Sequence, residues 1–309
     1  MRRYSITIMV DTTWVDFTHC PIDIAGQYGG SDQKRGIIYN GERYMLKFPD
    51  RIPDNKRNKW NSSYSNSVYS EKVCCDILRA LGFSVQETLL GTVKQGAEIK
   101  PVVACKNFVP QNAVLLSFKT IANSLLPEKL DKIPKLTEIY AVLAQSSSYF
   151  SEQMCAVALC NYWNLFIMDA LLGNFDRHGD NWGYLLQGQS LTCAPIYDCG
   201  SCLYPQVADE SMQDILTHED QIKTRIYDFP TAALMLPNGK KVNYAEFIQS
   251  YKNEDCTHAL LRIFPYIDLQ KINAVIDSEP ITEIRKLFYK RMLYERYTRI
   301  LLPAYTKLQ

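Results

Sequence analysis

Residues 173–183 read Gly-Asn-Phe-Asp-Arg-His-Gly-Asp-Asn-Trp-Gly, and Tyr-Asp-Cys-Gly follows at residues 197–200. Asp176 and Asn181 are five positions apart, and Asp198 opens an Asp-x-Gly turn after a short apolar run. Carboxylate and amide oxygens are ligands that suit Mg²⁺. Phosphoryl transfer needs a carboxylate to orient the attacking hydroxyl and oxygen ligands to hold the metal on the phosphates. The two segments together therefore predict a site that transfers phosphate from a nucleoside triphosphate.

The Asp-Arg-His-x-x-Asn pattern at residues 176–181, followed by Asp-x-Gly at residues 198–200, resembles the catalytic core of the HipA-like serine/threonine kinases. This family includes the toxin kinases of bacterial toxin–antitoxin pairs, and the resemblance is strongest to its short members. Phosphoinositide kinases share the first pattern and are more distantly similar. The resemblance runs from about Gly29 to the last helix. It implies an α+β, bilobal protein-kinase-like fold that binds ATP and Mg²⁺.

The resemblance also implies a role for each polar residue of the core. Asp176 is the expected catalytic base, and Asn181 and Asp198 are the expected Mg²⁺ ligands. His178 is counted with the catalytic residues because the ordinary pKa of histidine lies near physiological pH. Since the family pattern assigns proton transfer to the aspartate, we expect His178 to hydrogen-bond the metal-binding segment instead. Arg177 would either contact phosphate or brace the loop, and the sequence does not decide between these roles.

Lys47 lies among apolar neighbours in a predicted strand. In kinases, a lysine in such a strand neutralises the α and β phosphates and pairs with a glutamate on a nearby helix. Glu71, near the start of the next predicted helix, is the candidate partner. A solvated lysine on one face of the sheet is the alternative interpretation. We therefore predict that Lys47 serves catalysis and that Lys47 and Glu71 form part of the nucleotide site.

A glycine-rich segment, Gly29-Gly30-Ser31-Asp32-Gln33-Lys34-Arg35-Gly36, precedes the first predicted hairpin strand. It matches neither the Walker loop nor the GxGxxG of ordinary protein kinases. It resembles the short phosphate loop of HipA-like kinases, in which a serine can be autophosphorylated. That resemblance places Gly30, Ser31 and Lys34 at the nucleotide and makes Ser31 the expected autophosphorylation site. A polar surface turn is the alternative.

Strand signals dominate the first hundred or so residues. Asn40-Gly41, between residues 37–39 and 43–48, predicts a hairpin because this dipeptide readily adopts positive φ angles. The hydrophobic periodicity predicts the remaining elements in order: a helix over residues 67–81, strands over 86–108 with a turn at 94–98, a helix over 155–172 ended by Gly173, a strand over 191–197, a hairpin turn at 237–239 and a helix over 282–302.

Long helical stretches begin near Pro110, which predicts a lobe boundary there. Residues 1–109 would form the strand-rich N-lobe, and residues 110–309 the mostly helical C-lobe. The hinge between them is expected at residues 102–108, where backbone groups would bind adenine. Lys106 and Phe108 are therefore candidate nucleotide contacts.

Composition and charge narrow the classes further. The chain has 309 residues, of which 47% are apolar and 22% charged, as in ordinary globular proteins. Its net charge of +1 gives no reason to expect nucleic acid or an anionic membrane as a main partner. The longest apolar segment, residues 155–172, is interrupted by Asn161, Asn164 and Asp169, which favours a core helix over a membrane span. Ten cysteines without a signal-peptide core predict free thiols in the cytoplasm.

Three alternatives to a protein kinase are open. A lipid kinase is disfavoured because residues 206–222 contain five acids and no lysine or arginine, which would repel a polyanionic headgroup. A non-catalytic ATP-binding module is possible, although every core residue is present. Direct nucleic-acid binding would have to use the last predicted helix, whose cations have the spacing of an ordinary solvated face. Those cations are Arg285, Lys286, Lys290, Arg291, Arg296 and Arg299.

Partners are implied only by the family resemblance. Full-length HipA toxins carry an N-terminal subdomain before the phosphate loop, which here begins by residue 29, so the chain resembles the short members. The resemblance implies a protein substrate, by analogy an aminoacyl-tRNA synthetase or another translation factor, and a small antitoxin or accessory protein. The short members also include a secreted, host-directed kinase, so a toxin–antitoxin role does not follow. No direct nucleic-acid or membrane partner is expected.

Overall fold

Strands dominate the first part of the structure and helices the second. The structure is a computed structural model that describes residues 14–24, 34–143 and 151–309. Gly30 and Ser31, which were assigned to the phosphate loop, lie outside these described residues. The predicted α+β class, with a strand-rich first lobe and a mostly helical second lobe, is confirmed. The exact lobe boundary between residues 109 and 110 stays a prediction.

Five strands form the sheet of the first lobe, in the order β1-β4-β5-β3-β2. They are β1 (Val15–Asp16), β2 (Lys34–Tyr39), β3 (Glu42–Lys47), β4 (Thr88–Gln95) and β5 (Glu98–Lys106). β2 and β3 form the predicted hairpin, in which Asn40 and Gly41 have φ angles of 50° and 77°. β3 is an inner strand, and its last residue, Lys47, pairs with Lys34 on one side and Val103 on the other.

Helix α1 (Ser67–Ala80) packs against β4 and β5 and confirms the predicted helix. Val73 and Ile77, one turn apart, are fully buried, as the helical spacing predicts. The chain leaves the helix at Gly82, whose φ of 92° favours glycine. Glu71 lies in the first two turns of α1 and is also fully buried, which brings a carboxylate into the interior behind the sheet.

Helix α4 (Glu152–Leu172) is the central helix of the second lobe. The Ser151 side chain caps its first turn, and Gly173, with a φ of 68°, ends it as predicted. Among the described residues it is the one helix long and apolar enough to cross a membrane, with a mean hydropathy of 1.5. In the structure, however, 67% of that apolar segment is buried inside the protein, as expected for a core helix.

A second, three-stranded sheet was not predicted. It consists of β6 (Ala113–Ser117), β7 (Gly183–Gln187) and β8 (Ser190–Cys193), all antiparallel, and lies in the lobe predicted to be helical. The strand predicted over residues 191–197 is therefore too long. β8 ends at Cys193 because Pro195 has no N–H to continue the ladder, and Ile196 makes only a single bridge, to Val85.

The remaining helices surround α4. They are α2 (Phe118–Leu125), α3 (Leu136–Leu143), α5 (Asp209–Thr217), α6 (Glu219–Lys223), α7 (Tyr244–Ser250), α8 (Glu254–Ile263), α9 (Leu269–Ser278), α10 (Glu283–Arg296) and α11 (Leu302–Thr306). A π-helical turn at Tyr297–Leu301 joins α10 to α11, so the last predicted helix is one nearly continuous rod. The turn predicted at residues 237–239 is present, but it closes only a single bridge, between Met235 and Lys241.

The prediction that the cations of the last helix form a solvated face is wrong for two of them. Arg285 is 2% exposed and Arg296 is 1% exposed. Arg285 pairs with Asp209, and Arg296 donates from Nε to the carbonyl of Ala170 at 2.6 Å. Both point inward because helices pack on more than one side of α10.

Those contacts also change the meaning of the acidic segment at residues 206–222. Asp209 is bound to Arg285, and Glu219 pairs with Arg299 at 2.8 Å. These two carboxylates hold helices together. The charges of these two residues therefore give no reason to exclude a lipid substrate.

Candidate active site

Lys47 joins the two lobes through a pair of carboxylates. Its Nζ lies 2.9 Å from Glu71 Oε2 and 3.0 Å from Asp198 Oδ1. The predicted pairing of Lys47 with Glu71 is therefore present, and the lysine is 8% exposed rather than solvated on the sheet face. One contact comes from α1 and the other from the segment after β8, so the ammonium group ties the sheet to the helical lobe.

Lys47 and the two carboxylates shift one another's pKa values, and burial is the main reason that the pKa of Glu71 is raised, although Lys47 acts to lower it. Burial acts to lower the pKa of Lys47, but the carboxylates of Asp198 and Glu71 outweigh it and hold that pKa well above its usual value. Burial acts to raise the pKa of Asp198, but Lys47, with smaller contributions from Lys34 and Arg177, keeps it below the ordinary aspartate value. At neutral pH, Lys47 is cationic and Asp198 is anionic, as a phosphate-binding lysine and a metal ligand must be.

The backbone of the DCG turn (residues 198–200) is fitted closely around Glu71. The Cys199 N–H donates to Glu71 Oε1 at 3.1 Å. A Cβ atom at Gly200 would lie 3.2 Å from Glu71 Oε2, so a larger residue would crowd that carboxylate. Asp198 itself has a φ of 58°. Residues other than glycine rarely adopt this backbone conformation, and it often marks functional sites.

Arg177 is the centre of the DRH loop (residues 173–182). Its guanidinium binds both oxygens of Asp169, at 3.0 and 3.1 Å. It also donates to the carbonyls of Asn181 at 2.9 Å, Tyr197, and Asp198 at 3.3 Å. Of the two roles left open by the sequence, the structure therefore supports bracing, because this buried side chain connects the DRH loop to the DCG turn.

Asp176 lies at the exposed edge of the DRH loop. Its backbone N–H donates to Asn174 Oδ1 at 3.0 Å, and Asn174 in turn donates to Asp169 at 2.9 Å. Its carboxylate lies 3.7 Å from Lys132 Nζ. Burial raises the pKa of Asp176 above the ordinary value; the charges of His178 and Lys132 act to lower it, and that of Asp198 to raise it.

His178 contacts both the predicted base and the segment beyond it. Its Nδ1 accepts the Asp180 N–H at 3.2 Å, and its Nε2 lies 3.7 Å from Asp176 Oδ2. This arrangement supports the expected orienting role, with the ring holding the chain between the base and Asn181.

Asn181 presents one oxygen that its own contacts do not use. Its Nδ2 donates to the Asp176 carbonyl at 2.8 Å, and no hydrogen bond within the described residues involves Oδ1. Those same residues contain no group of three or more His, Cys, Asp or Glu arranged to hold a metal. Asn181 and Asp198 therefore fit Mg²⁺ only as a pair, with the other ligands coming from phosphate oxygens and water, which is how Mg²⁺ usually binds in such sites.

The other residues predicted to contact the nucleotide differ in how close they lie to the Lys47 cluster. Lys34 is close enough for its charge to lower the pKa of Asp198. Lys106 instead pairs with Glu42 at 3.5 Å and Glu87 at 3.7 Å, so the structure does not bring its ammonium group into the Lys47 cluster. Phe108 follows β5, and its ring lies 5.6 Å from that of Tyr197.

Residues 102–106 of the predicted hinge belong to β5. The N–H groups of Lys106 and Asn107 donate to the carbonyls of Glu87 and Arg43. The N–H of Val109 donates to the Asn107 side chain. Within the described part of the chain, the N–H of Phe108 has no acceptor, so the hinge retains one backbone donor that a purine could use.

Sequence reasoning missed three residues that shape the site. Asp169 and Asn174 support Arg177 and Asp176, and Lys132 reaches Asp176 from a separate loop. Asp169 did leave a signal, because a carboxylate inside an apolar helix needs a buried partner. Lys132 left none, since it is one exposed lysine among several in a polar segment.

Comparison with known proteins gives concordant matches. A family model described as the HipA-like C-terminal domain matches residues 26–260. The serine/threonine-protein kinase CtkA of Helicobacter pylori is 43% identical over 298 residues, which are 95% of this chain and 88% of that protein. The crystal structure of an H. pylori proinflammatory kinase CtkA matches with a TM-score of 0.83 and 41% identity, covering 95% of this chain and 97% of the other.

A more distant structure is HipA in complex with HipB and operator DNA, from a toxin–antitoxin system of Shewanella oneidensis MR-1. It matches with a TM-score of 0.48 and 17% identity, over 93% of this chain and 67% of that one. So weak a likeness carries no conclusion about partners.

Proposed function

We propose, from the premise that this chain belongs to the HipA-like kinase family, that it transfers the γ-phosphoryl group of ATP to a serine or threonine hydroxyl of a protein. The family model covers most of the chain, and the match to CtkA confirms the expected kinase-like fold. The observation that carries the proposal is the contact of Lys47 with both Glu71 and Asp198, beside the Arg177-braced loop that presents Asp176 and Asn181.

Each residue has a distinct part in the proposed transfer. Lys47 would bind the α and β phosphates, and Asp198 and Asn181 would hold Mg²⁺, which would neutralise charge on the phosphates. Asp176 accepts the proton of the substrate hydroxyl while the oxygen of that hydroxyl forms a bond to the γ phosphorus. The bond from that phosphorus to the β–γ bridging oxygen then breaks, and ADP leaves. The raised pKa of Asp176 makes it a better proton acceptor than an ordinary aspartate.

Finer parts of the proposal rest on the family resemblance or, for the location, on the cysteine content of the chain. They are autophosphorylation at Ser31, a cytoplasmic location, a translation-factor substrate such as an aminoacyl-tRNA synthetase, and a small antitoxin or accessory partner. The free state of all ten cysteines is compatible with a reducing compartment. The name of the H. pylori relative supports a serine or threonine acceptor.

The direct test is intact-mass and peptide mass spectrometry after incubation with Mg-ATP and a mixed protein extract. The wild type should add phosphate to serine or threonine, in itself or in the extract, and Asp176→Asn should add none while unfolding at the same temperature. Ser31→Ala tests the autophosphorylation site separately. A wild type that neither transfers phosphate nor binds Mg-ATP in calorimetry would contradict the proposal.

A further inference from the structure

A groove opens between two segments far apart in the sequence, and one of its lining residues, Lys132, contacts Asp176. One wall is residues 131–135, between α2 and α3, and the other is residues 235–239, after the DCG turn. Its volume is about 390 Å³, within the range of ordinary ligand clefts, about 300–1,000 Å³. Nothing in the proposed phosphoryl transfer uses this groove.

The walls are held in place by their own backbones. The Met235 N–H donates to the Pro134 carbonyl at 2.9 Å, and the Leu136 N–H donates to the Met235 carbonyl at 2.8 Å. The turn behind Met235 is closed by the Leu236 N–H, which donates to Lys240 at 2.8 Å. The groove is therefore formed before anything binds, so a ligand would not have to order it.

The lining combines apolar residues with three charged ones, Asp131, Lys132 and Lys135. Ile133, Met235 and Leu236 are half-buried, so each still offers apolar surface to a ligand. Lys132 has a side chain that is 71% exposed, yet its Nζ lies 3.7 Å from the Asp176 carboxylate. One residue thus lines the groove and contacts the proposed base.

Resting on the proposed kinase activity, we propose that this groove binds the polypeptide segment that carries the target hydroxyl, with Lys132 positioning that segment against Asp176. An acceptor hydroxyl must come within hydrogen-bond reach of Asp176. Because an extended chain advances about 3.3–3.6 Å per residue, residues two or three positions from the acceptor would lie in the groove.

The lining also specifies what that segment presents. An apolar side chain would occupy the space between Ile133, Met235 and Leu236. Lys132 can only donate hydrogen bonds, so it would face a carbonyl or a carboxylate of the substrate. A small molecule could fill the apolar part of the groove, but a polypeptide would contact Asp176, Lys132 and the apolar wall at once.

The test measures recognition of the acceptor separately from recognition of ATP. A degenerate peptide library around a fixed serine or threonine is phosphorylated by the wild type, and the best peptide is used to determine KM. Met235→Lys and Ile133→Lys, one on each wall, should each raise the KM for the peptide about tenfold or more. The KM for ATP should stay within about twofold, a change too small to reflect a lost contact. Leu287→Lys is the matched control, because Leu287 is an exposed apolar residue on α10 and lines no part of the groove.

Lys132 requires its own readout, since it contacts the base. Lys132→Glu should change the residues selected from the library near the acceptor, from acidic to basic, and Lys132→Arg should restore the wild-type selection. A merely structural lysine would alter the amount of product without altering which peptides are selected. Thermal unfolding of each variant identifies any that fail to fold. If one of the two wall variants does not fold, the variant on the opposite wall is used for the test.

The outcomes separate this inference from the function on which it rests. If the wild type phosphorylates peptides and both wall variants keep its KM and selection, the groove is not the acceptor site, although the kinase activity stands. A wild type that labels itself but no library peptide overturns the groove in the same way. No transfer to any peptide or to itself would overturn the proposed function, and the groove with it.

Discussion

At Arg177, a single buried guanidinium holds one carboxylate and three backbone carbonyls that belong to different parts of the chain. Arginine can do this because its donors form a planar fork that binds both oxygens of Asp169 and still reaches beyond it. A lysine has the same charge but offers three donors from a single point. The DRH loop and the DCG turn therefore depend on the shape of this side chain as well as on its charge.

Arg177→Lys should destabilise the protein by about 3 kcal/mol and reduce phosphoryl transfer, because it leaves Asp169 and the carbonyls incompletely paired in the interior. Urea unfolding monitored by circular dichroism gives the free energy of unfolding. Arg79→Lys, an exposed arginine that pairs with Asp76, is the matched control and should cost less than about 1 kcal/mol. If both variants lost the same free energy of unfolding, the hydrogen bonds around Arg177 would stabilise the protein no more than an exposed ion pair does.

The titration of Asp176 should determine how the proposed catalysis depends on pH. As a base it acts deprotonated, and burial raises its pKa above the ordinary 3.8, so kcat/KM should fall with decreasing pH at a point above 3.8. Because the Lys132 charge lowers this pKa, Lys132→Met should move the fall to higher pH. Lys135→Met, which removes the neighbouring lysine that pairs with Glu138, should leave it in place. A pH profile that Lys132→Met does not shift would show that the two groups do not interact in solution.

Sequence patterns identify residues whose chemistry is tied to a fixed spacing. Asp176, Asn181 and Asp198 were recognisable because a base and two metal ligands recur in one order along the chain. Lys47 and Glu71 could be paired because a buried lysine needs a partner. Lys132 could not, since its proximity to Asp176 depends on how the loop before α3 folds back. The ion pairs of Lys106 could not be predicted either, because Glu42 and Glu87 come close to it only through the pairing of the strands.

Helix α1 is the element that sets the position of Glu71, and it is anchored on two sides. Toward the sheet, Glu71 binds Lys47. On the other side, Lys72 contacts Asp76 of the same helix and, at 3.3 Å, Glu279 just after α9. Burial is the main reason that the pKa of Glu279 is raised from 4.5 to about 7, and Asp76 adds to it. This anchor therefore titrates near neutral pH.

Glu279→Gln should make stability less dependent on pH. A raised pKa in the folded state means that protonated Glu279 stabilises the fold below about pH 4.5, and that this contribution is lost as the pH rises through about 7. Its full size is at most about 3 kcal/mol. Between pH 5 and 8 the wild type should lose more stability than Glu279→Gln, as measured by urea unfolding at each pH. Parallel curves for the two proteins would rule out Glu279 as the titrating group.

The elements that could be predicted from the sequence are specified by residues within or next to the element itself. The β2–β3 hairpin depends on Asn40-Gly41, and α1 and α4 combine regular apolar spacing with a glycine at or just beyond the end. The sheet of β6, β7 and β8 has no such local cause. β6 lies about 65 residues before β7 in the chain, and its strands of four and five residues are stabilised by pairing across that separation. Buried arginines such as Arg296 are missed for a similar reason, because helical spacing does not reveal packing on a second side.

For the whole molecule, the candidate site depends on both lobes. Lys47 comes from the sheet, Glu71 from α1, and Asp176, Asn181 and Asp198 from the helical lobe. A ligand that contacts residues on both sides of the cleft binds only when they are in their folded arrangement. It therefore stabilises the entire protein rather than one part of it.

Mg-ATP should raise the free energy of unfolding by about 2.7 kcal/mol at a concentration one hundred times its Kd. The effect should be a single cooperative shift of the thermal transition, measured by calorimetry. Asp198→Ala should lose this shift, because one of the two predicted metal ligands is gone and Lys47 loses a partner. ATP with a chelator serves as the control for the wild type. A shift that is the same with and without Mg²⁺ would contradict the assignment of Asp198 and Asn181.

The two carboxylates on Lys47 make nucleotide entry an exchange of counter-ions. A phosphate that approaches this lysine meets Asp198 already at 3.0 Å and must compete with a negative charge for the same ammonium group. In the proposed function, Asp198 and Asn181 would hold the divalent cation that accompanies the nucleotide, and its positive charge would offset that of Asp198 beside Lys47. In the proposed function, this contact would favour the metal complex of the nucleotide over the bare polyanion, because uncomplexed phosphates would face the negative charge of Asp198 beside Lys47.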